Sequence, residues 1–222
     1  MVYYNDSTNK KINSIHALNR YLVVTGEMKE IIVENSKDRV KIAYGSDKEV
    51  ERILFYIQNE DKVSKRNKVI VMLLLYTGVR VSELCSIKIK DIDFLNYSIK
   101  IYGKGGKFRE VPLKFDLADV IKEYIKDRDY SIKDSEYLVI GQRGVLRRDA
   151  INTMLERLTD EIGMVNKLKP HTFRHTFCTR LINRGVPIST VSKLAGHSSV
   201  DTTATFYINS SREEKLKAVN LL

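Results

Sequence analysis

Residues 91–113 read Asp-Ile-Asp-Phe-Leu-Asn-Tyr-Ser-Ile-Lys-Ile-Tyr-Gly-Lys-Gly-Gly-Lys-Phe-Arg-Glu-Val-Pro-Leu. Within them Asp91-Ile-Asp-Phe94, Ser98-Ile-Lys-Ile-Tyr102 and Phe108-Arg-Glu-Val-Pro-Leu113 alternate apolar with polar side chains, the period of a strand. The insert Gly103-Lys-Gly-Gly-Lys107 has the glycine content of a hairpin loop, so antiparallel strands are expected around it. Every other patterned stretch has a helical period. The expected fold is mainly α with one small antiparallel β-sheet, an α+β arrangement.

Upstream of the sheet, residues 69–75 form an unbroken apolar run, expected as a buried helix that ends at Thr77-Gly78, with a shorter helix from Val81. Before it, Ser46 with Glu49 three residues later is a capping box opening a helix that carries Ile53, Leu54 and Ile57. Ile12, Ile15, Leu18 and Leu22 recur at three- and four-residue steps, the mark of a further amphipathic helix. A boundary near residue 45 is expected, with a helical segment over 1–45 and the main domain over 46–222. Downstream, helix returns at Asp116, Gly141 to Gly144 makes a turn, and Arg147-Arg148-Asp149 leads into another helix. Pro170 suits a first helical turn, and Gly185 with Pro187 ends that helix.

At 222 residues and 43% hydrophobic the chain can bury a real core. No apolar run approaches the ~18 to 20 residues that span a bilayer, and the opening Met-Val-Tyr-Tyr-Asn-Asp has no basic or apolar leader, so a cytoplasmic location and no membrane partner are expected. Cys85 and Cys178 are far apart and without a CxxC neighbour, which suggests two small buried thiols and neither a disulfide framework nor a zinc site. Lys and Arg number 38 against 28 acidic residues, a net charge of +10 that favours an anionic partner, nucleic acid first.

The last third of the chain holds the reactive groups. His171-Thr-Phe-Arg174 puts an imidazole and a guanidinium three residues apart, on one helix face. In Leu194-Ala-Gly-His197 the glycine permits a tight turn before the histidine, and Ser198 or Ser199 can cap a helix bearing Thr202, Thr203 and Tyr207. Arg80 lies at a helix junction, and Lys104 at the hairpin tip. Two arginines, two histidines, a lysine and a tyrosine suit phosphoryl transfer without a metal. Guanidinium forks neutralise the charge that builds on the non-bridging oxygens. A tyrosine hydroxyl ionises near about 10 and needs a proton acceptor and a positive field to attack near neutrality. A lysine can protonate the leaving 5′-oxygen.

Each of these residues has a plainer alternative. Arg80 could be a structural ion pair with Glu83, Lys104 a solvated hairpin lysine, and His171, His197 and His175 ordinary capping or core histidines. Tyr207 competes with Tyr102, Tyr124, Tyr130 and Tyr137, and the Thr-Thr context singles it out. Asp91 and Asp93 would share a strand face that could hold a divalent ion, but with no third acidic ligand nearby a turn or solvated edge is expected. Arg147-Arg148 and the Lys62 to Lys68 cluster suit phosphate contacts or a solvated face.

The segments Thr77-Gly-Val-Arg80-Val-Ser-Glu-Leu84, Gly103-Lys-Gly-Gly-Lys-Phe-Arg-Glu-Val-Pro112, His171-Thr-Phe-Arg174-His-Thr-Phe and Leu194-Ala-Gly-His197-Ser-Ser, with Tyr207 after Thr202-Thr203, resemble the tyrosine recombinases and phage-type integrases, in order and at plausible spacing. The resemblance covers about residues 46–215 and makes 46–222 a catalytic domain with a C-terminal helix. It implies that Arg80 and Arg174 clamp a scissile phosphate, Lys104 is the general acid, His171 accepts the tyrosine proton, His197 hydrogen-bonds the phosphate and Tyr207 is the nucleophile. The implied product is a 3′-phosphotyrosine with a free 5′-hydroxyl, carried through a Holliday junction with no cofactor, ATP or metal. The implied partners are double-stranded DNA with specific recombination sites and further copies of the chain, a tetrameric synapse joined through the C-terminal helix. Its setting would be the nucleoid.

The sequence departs from the family in two places. Only a segment like the last helix of the family's N-terminal DNA-clamping domain precedes the main domain, and Asn209 stands where many relatives have histidine. The tail over 211–222, with Leu216 and Val219, resembles the helix that docks on a neighbouring protomer. Two other classes fit some of the residues. Gly185-Val-Pro-Ile-Ser-Thr-Val-Ser-Lys-Leu194 could be the turn and recognition helix of a non-catalytic helix-turn-helix regulator, and a type IB topoisomerase would share the covalent chemistry.

Overall fold

The computed structural model describes residues 47–207 apart from 61, 104–105, 129–134, 142–143, 165–166 and 198, with the backbone alone at 205–207. The expected helix of Ile12 to Leu22, the boundary near residue 45, the Ser46 cap, Asn209 and the 211–222 tail lie outside the described residues.

The first helix, α1 (Asp47–Asn59), buries Val50, Ile53 and Ile57 along one stripe. Its first turn carries Asp47 and Glu49, which suit the positive end of the helix dipole. Next, α2 (Lys65–Thr77) is apolar on every side from residue 69 to 75, all of it buried. A helix with no polar face has to be surrounded, and α2 packs on α4 (Phe115–Asp127) and α6 (Pro170–Asn183). Ser64 caps its start, accepting a hydrogen bond from the Asn67 amide. Its end at Gly78 is a left-handed residue, φ +58°, and after Val79 and the extended Arg80 comes α3 (Val81–Ser86).

The sheet falls where the alternation placed it. β1 (Ile92–Asp93), β2 (Ser98–Tyr102) and β3 (Phe108–Pro112) are antiparallel in that order, with Ile99 opposite Val111, Ile101 opposite Arg109 and Tyr102 opposite Phe108. Ile99, Ile101 and Val111 face the core, whereas Lys100 and Tyr102 face out. The expected shared strand face of Asp91 and Asp93 does not form, because Asp91 ends a 3₁₀ turn (Ile89–Asp91). Both carboxylates serve local turns. Asp91 accepts from the Lys88 amide, and Asp93 from the amides of Leu95 and Asn96.

A second sheet corrects the expectation of only one. Ile140–Gly141 (β4) pairs antiparallel with Gly144–Val145 (β5) at the place read as a simple turn. Strands of two residues are too short to show alternation.

The helices α5 (Arg148–Ile162), α6, α7 (Ile188–Ala195) and α8 (Val200–Tyr207) complete the described chain. Pro170 occupies the first turn of α6, and Gly185, φ +80°, follows its end. The helix α6 is buried on most sides, between α2 on one flank and α7 and α8 on the other. Phe177, Cys178 and Ile182 of α6 meet Val191 and Ala195 of α7 in a small second core. Cys178 is buried as expected, while Cys85 is only half-buried. Among the described residues no helix is long and apolar enough to cross a membrane.

Candidate active site

Two helix ends meet where α6 passes beneath them. Gly78 ends α2 and delivers Arg80 to the start of α3. Gly196, φ +69°, ends α7 and delivers His197.

Arg174 of α6 is buried. Its Nη1 donates to the Gly78 carbonyl at 2.6 Å, while its buried Nη2 has no hydrogen-bond partner among the described residues. Burial first, and the neighbouring Arg80 charge second, pull its basicity down, to a pKa of about 10. A buried cation with a donor to spare is costly unless an anion comes to it.

Arg80 is more open. Its Nη2 donates to the Gly196 carbonyl at 2.9 Å, and its Nη1 to Glu83 Oε1 at 2.8 Å. The structure therefore contains both the expected Glu83 ion pair and a tie from Arg80 to the loop that carries His197. Glu83 also accepts the Arg80 amide and both terminal nitrogens of Arg109. Burial alone would raise its carboxyl, but the Arg109 hydrogen bonds, the Arg80 amide and the two positive charges hold it below the usual range.

His197 is half-buried, and its Nδ1 lies 2.7 Å from Thr203 Oγ1. Burial, followed by the charges of Arg174 and Arg80, pushes its basicity down to about 4, so the ring is neutral at pH 7. The contact ties the loop to α8, which Ser199 caps by accepting from the Asp201 amide. Tyr207 ends α8 one turn after Thr203, and its side chain lies outside the described residues, as does Lys104. The hairpin stem is closed by the Gly103 amide donating to the Lys107 carbonyl at 2.8 Å.

His171 lies in the first turn of α6, three residues before Arg174. It is exposed, and its ring meets His175 edge-on with centroids 5.9 Å apart. Part of its ring is nonetheless covered, and that burial, then the nearby Lys169, lowers its basicity. His175, expected as an ordinary core histidine, is lowered further, to about 4, by burial and then by His171 and Arg174.

Arg80 and His197 border a cleft of about 1010 Å³ that Arg109, Lys107, Tyr102 and Phe108 also line. Sequence reasoning missed Arg109 and Thr203 as parts of the site. The available signal for Arg109 was an arginine on a strand face shared with a core position, since it pairs with buried Ile101. Of the basic cluster over 62–68, Lys65 is engaged by Asp127 and Glu123 in exposed ion pairs. Arg66 and Arg147 line a separate cleft of about 770 Å³. The turn and helix over 185–194 form as a helix-turn-helix pattern would have them, but the Leu194 carbonyl at the end of α7 accepts from Arg109 Nε at 2.8 Å.

Residues 46–214 match the model of the phage integrase family. The chain is 32% identical over 177 residues to the tyrosine recombinase XerC of Staphylococcus epidermidis, covering 79% of this chain and 60% of that one. It is 34% identical over 219 residues to a tyrosine recombinase of Pseudothermotoga lettingae, covering 96% and 73%. The Tn1549 transposon integrase, solved in complex with circular intermediate DNA, has the same fold, with a TM-score of 0.78 at 22% identity over 100% of this chain and 81% of that one. The chain thus spans 60% of the length of the staphylococcal XerC. With Arg80 and His197 on one basic cleft and the match extending over most of its length, the chain belongs to the phage integrase family, the tyrosine recombinases.

Proposed function

We propose that this chain is a site-specific recombinase that cuts and rejoins double-stranded DNA through a 3′-phosphotyrosine at Tyr207. The observation that carries the reading is the unpartnered, buried Nη2 of Arg174 beside Arg80 and His197. A phosphodiester is an anion whose oxygens would complete that set, and guanidinium donors stabilise it most as charge grows in the transition state.

In this reading the Tyr207 oxygen attacks phosphorus and its proton passes to His171. The bond from phosphorus to O5′ breaks as Lys104 gives that oxygen a proton. Neutral His197 donates from Nε2 to a non-bridging oxygen, its Nδ1 accepting from the Thr203 hydroxyl. Arg80 and Arg174 hold the phosphate throughout. The new ester keeps the free energy of the old one, so a 5′-hydroxyl from a partner duplex can reverse the attack without ATP. Two such exchanges pass through a Holliday junction. The same reading takes residues 1–45 as the end of a DNA-clamping segment and residues 46–222 as the catalytic domain. It takes the 211–222 tail as the link between copies in a tetrameric synapse on the nucleoid.

A nicked suicide duplex tests this, since loss of the short strand traps the covalent adduct for detection on a denaturing gel. Wild-type protein should form it. Tyr207→Phe should bind the duplex and form none, and an undiminished adduct in that variant would refute the assignment. Resolution of a synthetic Holliday junction then separates recombination from topoisomerase-like relaxation.

A further inference from the structure

Arg109 is the least exposed of the three arginines around Glu83 and the site loop after Arg174 itself, with 13% of its side chain exposed against 43% for Arg80. It makes three directed contacts with two different elements. Its terminal nitrogens meet the two oxygens of Glu83 separately, Nη1 on Oε1 at 3.1 Å and Nη2 on Oε2 at 2.9 Å. Its Nε donates to the Leu194 carbonyl at the end of α7. The guanidinium also lies flush against Gly196, where an added Cβ would come within 2.7 Å of Nη1.

The carboxylate of Glu83 is therefore shared unequally. Arg109 spans it with a two-pronged contact, while Arg80 reaches it with Nη1 and its main-chain amide. A carboxylate facing a lone guanidinium takes both prongs when it can. With Arg109 present, the second prong of Arg80 is turned instead to the Gly196 carbonyl. That carbonyl is itself set by the end of α7, which Arg109 holds through Leu194.

We propose that Arg109 is a positioning residue that keeps Arg80 from collapsing onto Glu83 and fixes the α7 end against which Arg80 and His197 are set. The inference rests on the recombinase reading and deepens it. Arg109 acts through Glu83 and the backbone of α7, and it moves no proton.

The test compares wild type, Arg109→Lys, Arg109→Ala and the double variant Glu83→Gln with Arg109→Ala, in single-turnover adduct formation on the nicked duplex and in binding of the intact duplex. Arg109→Ala should slow adduct formation on the order of 10- to 100-fold, the loss of hydrogen bonds to a charged group, with binding changed by less than about threefold. Arg109→Lys keeps the charge but not the two-pronged geometry, and should slow it by about tenfold. Adding Glu83→Gln to Arg109→Ala should recover part of the rate, because an amide competes weakly for Arg80 and still accepts the main-chain amide. A residue that merely held the fold together would give further loss in the double variant.

Full-rate cleavage by folded Arg109→Lys overturns the proposal even if Arg109→Ala does not fold, and so does a double variant slower than Arg109→Ala. A wild-type chain that forms no adduct removes the recombinase reading itself, and the wild-type lane shows this before any variant is compared.

Discussion

The two glycine corners of the site have the same backbone and opposite surroundings. Gly78 and Gly196 each follow a helix in the left-handed conformation, and each offers a carbonyl to an arginine of the candidate site, Gly78 to Arg174 and Gly196 to Arg80. The arrangement is crossed. The corner that delivers Arg80 holds Arg174, and the corner that delivers His197 holds Arg80. What presses on each corner differs. A Cβ at Gly78 would come 2.3 Å from the ring of Phe177, part of the buried core. A Cβ at Gly196 would meet the Arg109 guanidinium, a side chain with torsional freedom held by hydrogen bonds. One corner is fixed by dry packing and the other by charge, and the two should fail differently.

The largest effect is expected at the dry corner. Gly78→Ala combines a left-handed alanine with a methyl inside a packed ring, together about 3 kcal/mol of lost stability. Thermal or urea unfolding measures it, and Phe177→Leu in the same chain should return part of the loss by making room. If the double variant is no more stable than Gly78→Ala, ring contact is not what fixes this corner. Gly196→Ala should cost less in stability, about 1 to 2 kcal/mol, since the guanidinium can move aside. The movement breaks the contacts with Glu83 and Leu194, so adduct formation should fall further than the stability loss accounts for. Equal losses of stability at the two corners would erase the contrast between packing and charge.

The dry corner was legible in the sequence and the charged one only partly. The apolar run over 69–75 followed by Thr77-Gly78 announces a buried helix with a glycine stop, and Pro170 and Gly185 bracket α6 as plainly. These are local signals, set by periodicity and backbone conformation. The strands around the 103–107 insert were legible for the same reason, whereas β4 and β5, two residues each, leave no period to read. At the charged corner Arg80, Arg174 and His197 could be named from motifs, and the structure brings all three together. Their partners could not be named. Arg109 meets Leu194 across 85 positions and Arg80 meets Gly196 across 116, separations at which one sequence has no pattern to offer. His171 adds a ring contact that no motif named, with His175 one turn on along the same helix.

Acid should find the charged corner first. His197 has its basicity pushed to about 4 in the folded protein by burial and by Arg174 and Arg80, against about 6.5 for an unfolded histidine. The folded state therefore binds fewer protons than the unfolded state between those values. Its stability contribution is complete above about pH 6.5 and is lost as the pH falls toward 4. His175, also displaced to about 4, acts in the same direction and window, and Glu83, displaced downward, adds its loss only below the ordinary carboxylate range. Water reaches the half-buried His197 ring, so its share is about 1 kcal/mol, far below what the full displacement implies. Urea unfolding at pH 7, 6 and 5 should show the midpoint falling, with a shallower fall in His197→Gln. In Gly78→Ala the whole curve should move down without changing its slope, because nothing at that corner titrates in the window. A slope in His197→Gln as steep as that of wild type would take the acid sensitivity away from this loop and leave it with His175 on α6.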